Sequence, residues 1–173
     1  DASDTDCSVT FDGSSSITHA GSQSRITLPT QTLLSESFAD FSNWSQYDVS
    51  GSANWFASVP GGSCTFTANS GSTCAWIQED SYTFSEDYIL YDLPDPKTNM
   101  SVSYKFINPD WAGDIDWLYC QYYDGSTWVS LAEYTTANEI WTSASHAIPD
   151  GATQLRFFSW LGYGFGIGVD DVV

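Results

Sequence analysis

The chain has 173 residues, with 22 Asp and Glu against four Lys and Arg, and a net charge of −18. Binding to nucleic acid or to an anionic membrane needs basic surface, so this charge argues against both functions. It is compatible with divalent cations, with a basic partner, or with solubility alone. A chain of this length is expected to form one domain, or one domain with an arm.

The N-terminal residues 1–31 differ in composition from the rest, because they contain no Trp or Tyr and are rich in Ser, Thr, Asp and Gly. Residues 7–11 and 25–28 are typical of short strands, and Asp12-Gly13 is a turn signal between them. The segment is predicted to be either an extra edge hairpin or an arm that adds a strand to a neighbour's sheet.

Residues 32–173 carry short runs of alternating apolar and polar residues with no convincing helical stretch. A hairpin is predicted within residues 42–56, around a turn at Gly51. Further strands are predicted at residues 33–38, 64–68, 75–78, 88–93, 100–107, 116–123, 127–133, 140–147 and 153–160. Asp124-Gly125 predicts a hairpin turn between two of them. Short strands at regular spacing predict an all-β, two-sheet antiparallel β-sandwich.

The C-terminal stretch RFFSWLGYGFGIGVDDVV has glycine at every second position from Gly162 to Gly168. This pattern predicts a strand with one face bare of side chains. The stretch ends in Asp170 and Asp171 beside apolar residues, where an unpaired charge is costly.

The sequence GFGIGVDDVV resembles the closing strand of MAM-like jelly-roll domains of secreted surface proteins. Ser37, Phe38 and Asn43-Trp44 resemble the opening of such a domain, with Glu36 as its acid, and residues 116–131 resemble its central hairpin with an Asp-Gly-x-x-Trp turn. The resemblance covers residues ~34–173 and implies a jelly-roll β-sandwich, here preceded by a strand-forming N-terminal arm.

In such a jelly roll the first and last strands are neighbours, which would place Glu36 near Asp170 and Asp171. Clustered carboxylates without lysine suit calcium, so these three residues are the predicted metal ligands and calcium the predicted cofactor. The alternative is that Asp170 and Asp171 cap the end of the strand through backbone N–H groups.

Four cysteines, Cys7, Cys64, Cys74 and Cys120, form an even set without a C-x-x-C pair, which argues against zinc. Cys64 and Cys74 flank a turn-rich segment and are predicted to pair, which leaves Cys7 with Cys120, although three connectivities are open. Disulfides imply an oxidising, extracellular setting, or the cell interior of a thermophile. A start without methionine predicts a mature secreted chain whose signal peptide was removed.

A second acidic cluster contains Asp110, Asp114 and Asp116. Its sequence resembles the E-[IL]-D-x-x-E strand of laminarinase-type glycosidases, in which paired carboxylates act as nucleophile and general acid. Asp114 replaces a glutamate of that pattern, and Tyr119 stands where its last acid falls, so catalysis is disfavoured. The alternatives are a solvated loop or a second calcium site.

Aromatic residues crowd the region that contains this cluster. They are Trp111, Trp117, Tyr119, Tyr122, Tyr123 and Trp128. Aromatic rings stack on the apolar faces of sugars, although about half of these residues must face the core. The predicted ligand-binding residues are Trp111, Asp114, Asp116 and Trp128.

The sequence contains no G-x-S-x-G elbow, phosphate loop or dinucleotide fingerprint, so the protein is predicted not to be an enzyme. The first functional hypothesis is a secreted structural or adhesive surface protein that binds copies of itself, as a filament or sheath subunit, through the arm and calcium. The alternative is a carbohydrate-binding module with a glycan ligand. Neither hypothesis involves nucleic acid or membrane insertion.

Overall fold

A computed structural model describes residues 16–20, 23–27, 30–79, 84–95 and 98–173, with side chains from residue 30 onward. The chain divides into two compact units, Asp1–Thr32 and Leu33–Val173. In the first unit, β1 (Ser16–Ala20) and β2 (Gln23–Thr27) pair as an antiparallel hairpin. The strand predicted at residues 25–28 overlaps β2, whereas the one predicted at residues 7–11 lies outside the described residues.

The second unit is built from ten strands. They are β3 (Ser45–Ser50), β4 (Phe56–Ser58), β5 (Cys74–Ile77), β6 (Ser85–Asp92), β7 (Met100–Asn108), β8 (Trp117–Tyr123), β9 (Trp128–Tyr134), β10 (Asn138–Ile148), β11 (Gln154–Leu161) and β12 (Ile167–Asp170). Sheet I has the order β10-β7-β12-β5-β4 and sheet II the order β3-β6-β11-β8-β9, and all pairings are antiparallel. The predicted all-β sandwich is confirmed. The hairpin predicted within residues 42–56 is not formed, because β3 pairs with β6 in sheet II and β4 pairs with β5 in sheet I.

The described residues contain no helix, and so none that is long and apolar enough to span a membrane.

Alternation along the strands separates the core from the outer surface. On β11, Leu155, Phe157, Ser159 and Leu161 are at most 2% exposed, while the residues that alternate with them are partly exposed. The inward side chains of both sheets form one buried cluster, in which each large apolar side chain contributes about 1.5–3 kcal/mol. The outward side chains of sheet II are therefore held in fixed register on a rigid support.

The two ends of the second unit are neighbours, as the resemblance implied. Glu36 and Val172 form an isolated bridge, with N···O distances of 2.9 and 3.0 Å in the two directions. The strand predicted at residues 33–38 is reduced to this bridge, because the backbone turns at Phe38, whose φ is +52°.

Residues 64–68 do not form the predicted strand. They cover the outer face of sheet I, where Phe66 packs with Ile107 and Trp141, and the Trp141 indole Nε1 donates to Thr67 O at 2.8 Å. Gly168 makes room for this cover, because a Cβ there would lie 2.7 Å from the Phe66 ring.

The alternating-glycine stretch is a strand only from Ile167 onward. Residues 162–166 form a loop, because three of its glycine N–H groups bind the buried Asp116 carboxylate instead of a neighbouring strand. The prediction of one continuous strand was therefore wrong for this part.

Candidate functional site

A row of four aromatic side chains crosses the outer surface of sheet II. Tyr47, Tyr88, Phe158 and Tyr119 are direct cross-strand partners on β3, β6, β11 and β8. Tyr47 and Tyr88 stack with ring centroids 4.8 Å apart, and Tyr119 and Phe158 are 5.8 Å apart. Because neighbouring strands are about 4.8 Å apart, the row extends over roughly 14 Å.

A second aromatic row runs parallel to the first on the same face of sheet II, and it crosses β11 two residues further on, at Trp160. Phe84 stacks on Trp160 at 5.0 Å, and Trp160 lies 4.6 Å from Trp117, its partner in register. Phe84 is 65% exposed and Trp117 36% exposed. These rings are therefore available to a ligand although they are already packed against one another.

Arg156 lies on the other side of the first row, on the central strand of sheet II. Its guanidinium carbon is 4.0 Å from the centroid of Trp128, 4.8 Å from that of Tyr88 and 5.0 Å from that of Phe158. Its Nε donates to Gln121 Oε1 at 2.8 Å. Burial lowers the pKa of the guanidinium, and Tyr88 opposes this effect.

We call the outward side chains of these two rows, with Arg156, Gln121 and Trp128, the aromatic face. It combines exposed ring surfaces with a positive charge and an amide, which suits binding of an amphipathic ligand by stacking and hydrogen bonding. Trp128 is the one predicted ligand-binding residue that belongs to it.

Trp111 and Asp114 lie in the loop between β7 and β8. Their backbones bond to each other at 2.8 and 2.9 Å, and Trp111 makes an edge contact with Tyr163 at 5.0 Å. Trp111 is 38% exposed. Their predicted role in ligand binding stays a prediction.

Asp116 is 1% exposed and organises the loop of residues 162–166. Its Oδ1 accepts N–H bonds from Gly162 at 2.9 Å and Gly164 at 3.0 Å, and its Oδ2 accepts one from Gly166 at 2.9 Å. Burial raises the pKa of Asp116, and these N–H groups oppose that rise. In this position the carboxylate stabilises the fold, and both of its oxygens already accept hydrogen bonds from the loop.

The predicted calcium ligands are engaged with protein donors. Asp170 Oδ2 accepts the N–H groups of Asn69 and Ser70, both at 3.0 Å, and Asp171 Oδ2 accepts the Asn69 amide at 2.6 Å. The carboxylate of Glu36 accepts the Phe38 N–H at 2.8 Å.

The contacts of Asp170 match the alternative in which the aspartates cap backbone N–H groups, whereas Asp171 accepts the side chains of Asn69 and Ser70 instead. Within the part of the chain that the structure describes, no three His, Cys, Asp or Glu residues are grouped to hold a metal. The calcium site stays a prediction.

The cysteines fall into two environments. Cys120 is fully buried in the core, and burial raises the pKa of its thiol to about 12. Cys74 is also a buried thiol, beside Cys64 and Asp170, with its pKa raised to about 12 mainly by burial. Cys64 contacts Gln78 Oε1 at 3.2 Å. Cys7 lies outside the described residues, and both predicted disulfides stay predictions.

A small cavity opens at the β3 edge of sheet II, beside the segment that connects β3 to β4. Its volume is about 210 Å³, and its lining residues are Gln46, Tyr47, Asp48, Asn54, Trp55 and Asp87. Asp87 accepts the Ser85 hydroxyl at 2.8 Å. Burial raises the pKa of Asp87 to about 6, with smaller contributions from the charges of Asp48 and Glu79.

Most of the aromatic face escaped prediction from the sequence. Tyr47, Tyr88 and Phe158 come from three separate segments, and only the register between β3, β6 and β11 brings them together. The available signal was the alternation of Arg156, Phe158 and Trp160 on one face of a predicted strand.

No protein-family model matches the sequence, and no curated protein matches it at a significant level. The fold is similar to that of the K3 cleaved adhesin domain of Lys-gingipain from Porphyromonas gingivalis W83. The TM-score is 0.63 and the identity 19%, over 81% of this chain and 96% of that domain.

Two carbohydrate-binding modules are also similar in structure. The C-terminal family 22 module of Clostridium thermocellum Xyn10B has a TM-score of 0.56 and 17% identity, over 81% of this chain and 90% of that module. TmCBM61, solved with β-1,4-galactotriose, has a TM-score of 0.53 and 14% identity, over 77% of this chain and 88% of that module. These likenesses show the jelly-roll β-sandwich fold. Membership of the MAM-like family stays a prediction.

Proposed function

We propose that this protein is a non-enzymatic, extracellular carbohydrate-binding domain whose glycan ligand lies on the aromatic face of sheet II. The observation that carries the proposal is the cross-strand row Tyr47–Tyr88–Phe158–Tyr119 on the outer surface of the sheet. Pyranose rings present apolar C–H faces to such side chains and hydroxyl groups to their polar neighbours.

Similar structures support the proposal at the level of the fold. They include a xylan-binding domain and a module solved with a galactotriose. Their sequences are too distant to transfer residues, so the argument for this chain depends on its own aromatic face.

The experiment compares two aromatic residues in equivalent settings. Tyr47 on β3 and Phe56 on β4 each lie on the edge strand of a sheet, are 46% and 47% exposed, and stack on a neighbour at 4.8 Å. Only Tyr47 belongs to the aromatic face. Affinity electrophoresis in gels containing soluble polysaccharides, among them xylan and β-1,4-galactan, measures the binding of each variant.

We expect at least one polysaccharide to retard the wild-type chain. Tyr47→Ala and Trp117→Ala should each weaken the retardation about tenfold, as expected for loss of one stacking contact. Phe56→Ala should leave it unchanged. Absence of retardation throughout the panel, or equal losses in Tyr47→Ala and Phe56→Ala, would contradict the proposal.

A second proposal is adhesive self-association, supported by the separate N-terminal unit with its β1–β2 hairpin. Strand β10 is 11 residues long and lies at one edge of sheet I, where an added strand finds unpaired backbone groups. Light scattering over a range of concentrations should then show oligomers for the full chain and monomers after deletion of residues 1–29. A full chain that stays monomeric at high concentration refutes this second proposal.

A further inference from the structure

Arg156 is a positive charge at the centre of the aromatic face in a chain with a net charge of −18. It projects from β11, the middle strand of sheet II, and is half-buried among Trp128, Tyr88 and Phe158. A cation that is partly removed from water is costly unless an anion or strong acceptors balance it.

No carboxylate of the described residues forms an ion pair with Arg156. Asp92 is its diagonal neighbour on β6, but the Asp92 Oδ1 accepts the Gln154 amide at 2.8 Å. Glu86 lies opposite Trp160, four residues along β11 and therefore about 13 Å away along the strand. That distance exceeds the Debye length of about 8 Å at physiological salt.

The neighbours of the guanidinium leave part of its donor capacity unused. Nε is bound by Gln121, whose own amide donates onward to Ser130 Oγ at 3.3 Å, so the orientation of both side chains is set by the sheet. The aromatic rings contact the guanidinium but accept no strong hydrogen bond. Gln121 and the Tyr88 hydroxyl engage only part of the five N–H donors of the guanidinium, and its fork matches the two oxygens of a carboxylate.

We propose that Arg156 makes the aromatic face selective for acidic glycans, and that it binds the carboxylate of a hexuronate residue while the adjacent rings stack on the sugar chain. This inference rests on the proposed glycan-binding function. It adds the ligand class, which stacking alone leaves open because neutral and acidic pyranoses offer similar C–H faces.

The test uses the intact chain and pairs of polysaccharides that differ only in the carboxylate. Calorimetry measures binding to a panel of uronate oligosaccharides, including oligogalacturonate, oligoguluronate and glucuronoxylan fragments, each beside its methyl ester. The neutral fragments of xylan and β-1,4-galactan complete the panel. Esterification removes the charge and leaves the sugar backbone in place, so this comparison requires no protein variant.

We expect at least one uronate to bind about ten- to a hundredfold more tightly than its methyl ester, as expected for one charge-assisted bidentate contact. Arg156→Gln should remove this difference. Arg156→Lys, which keeps the charge but loses the fork, should retain a small part of it. Thermal unfolding of each variant checks that the sandwich is intact.

The outcomes separate this inference from the proposed function. Equal binding of acid and ester, or a preference for the acid that Arg156→Gln leaves unchanged, refutes selectivity for acidic glycans through Arg156 but keeps the glycan-binding function. No binding to any acidic or neutral member refutes both.

Discussion

Asp116→Asn tests whether one buried carboxylate holds the glycine-rich loop to the sandwich. In the folded protein Asp116 receives the N–H groups of Gly162, Gly164 and Gly166 at 2.9–3.0 Å. Asparagine has nearly the same shape, but one of its two ends is an NH₂ group. If its oxygen keeps the two N–H groups of Gly162 and Gly164, its NH₂ faces the Gly166 N–H, and two donors oppose each other.

The expected loss follows from these three contacts. Losing the Gly166 contact costs about 1.5–3 kcal/mol, because the bond is charge-assisted and the donor is left buried. The other two bonds persist in neutral form and weaken by about 1 kcal/mol each. Loss of the charge also relieves the burial cost that raises the pKa of Asp116, which offsets part of this loss. Asp116→Asn should therefore lower the free energy of unfolding by about 2–4 kcal/mol, a large share of the 5–15 kcal/mol typical of a whole domain.

The measurement is urea unfolding at pH 8, followed by tryptophan fluorescence. Asp114→Asn is the matched control, because Asp114 lies two residues away but is exposed and outside the glycine contacts. It should change the unfolding free energy by about 0.5 kcal/mol at most. If Asp116→Asn costs no more than Asp114→Asn, the three glycine contacts do not stabilise the loop as argued.

Three further predictions concern stability. The folded pKa of Asp87 is about 6, above its ordinary 3.8, so its contribution to stability is full below about pH 4 and is lost as the pH rises through 6. Asp87→Asn should therefore raise the unfolding free energy by about 2–3 kcal/mol at pH 8 but not at pH 4. Equal effects at both pH values would contradict this prediction. Gly168→Ala should lower the free energy of unfolding in urea by about 1–3 kcal/mol, because its new Cβ meets Phe66. The control Gly61→Ala, whose Cβ has its nearest neighbour at 4.0 Å, should be near neutral. Equal costs for the two variants would count against the packing argument. If the predicted calcium site exists, calcium should raise the melting temperature, EDTA should reverse the rise and Asp171→Asn should abolish it, whereas a melting temperature indifferent to calcium would rule the site out.

The strands predicted from period-2 alternation agree closely with the structure where one strand face is buried and the other is not. Residues 100–107 and 116–123 are examples, and they correspond to β7 and β8. There the pattern follows directly from burial on one side of a sheet.

The errors occur where side-chain contacts replace strand pairing. The sequence of residues 162–166 is compatible with a strand, but a carboxylate 46 residues or more earlier in the chain, Asp116, binds its N–H groups. Residues 64–68 likewise pack over a sheet because Gly168 leaves room for Phe66. Neither contact has a local signal in the sequence.

The candidate site was predictable only in part for the same reason. Trp128 was singled out from its neighbourhood in the sequence, while Tyr47 and Tyr88 each look like an ordinary strand residue. Their importance arises from strand order, which places β3 beside β6 and β6 beside β11.

The packing of the aromatic rings on one another also determines the thermodynamics of binding. Tyr47 lies on Tyr88, Trp160 lies between Phe84 and Trp117, and Arg156 is bracketed by rings, so each side chain has lost most of its rotamer freedom before a ligand arrives. A surface of this kind loses little further conformational entropy on binding, a cost that is otherwise about 0.5–1.5 kcal/mol for each side chain immobilised. The negative heat-capacity change of association should then reflect the apolar area that the sugar covers, with little contribution from ordering of the protein.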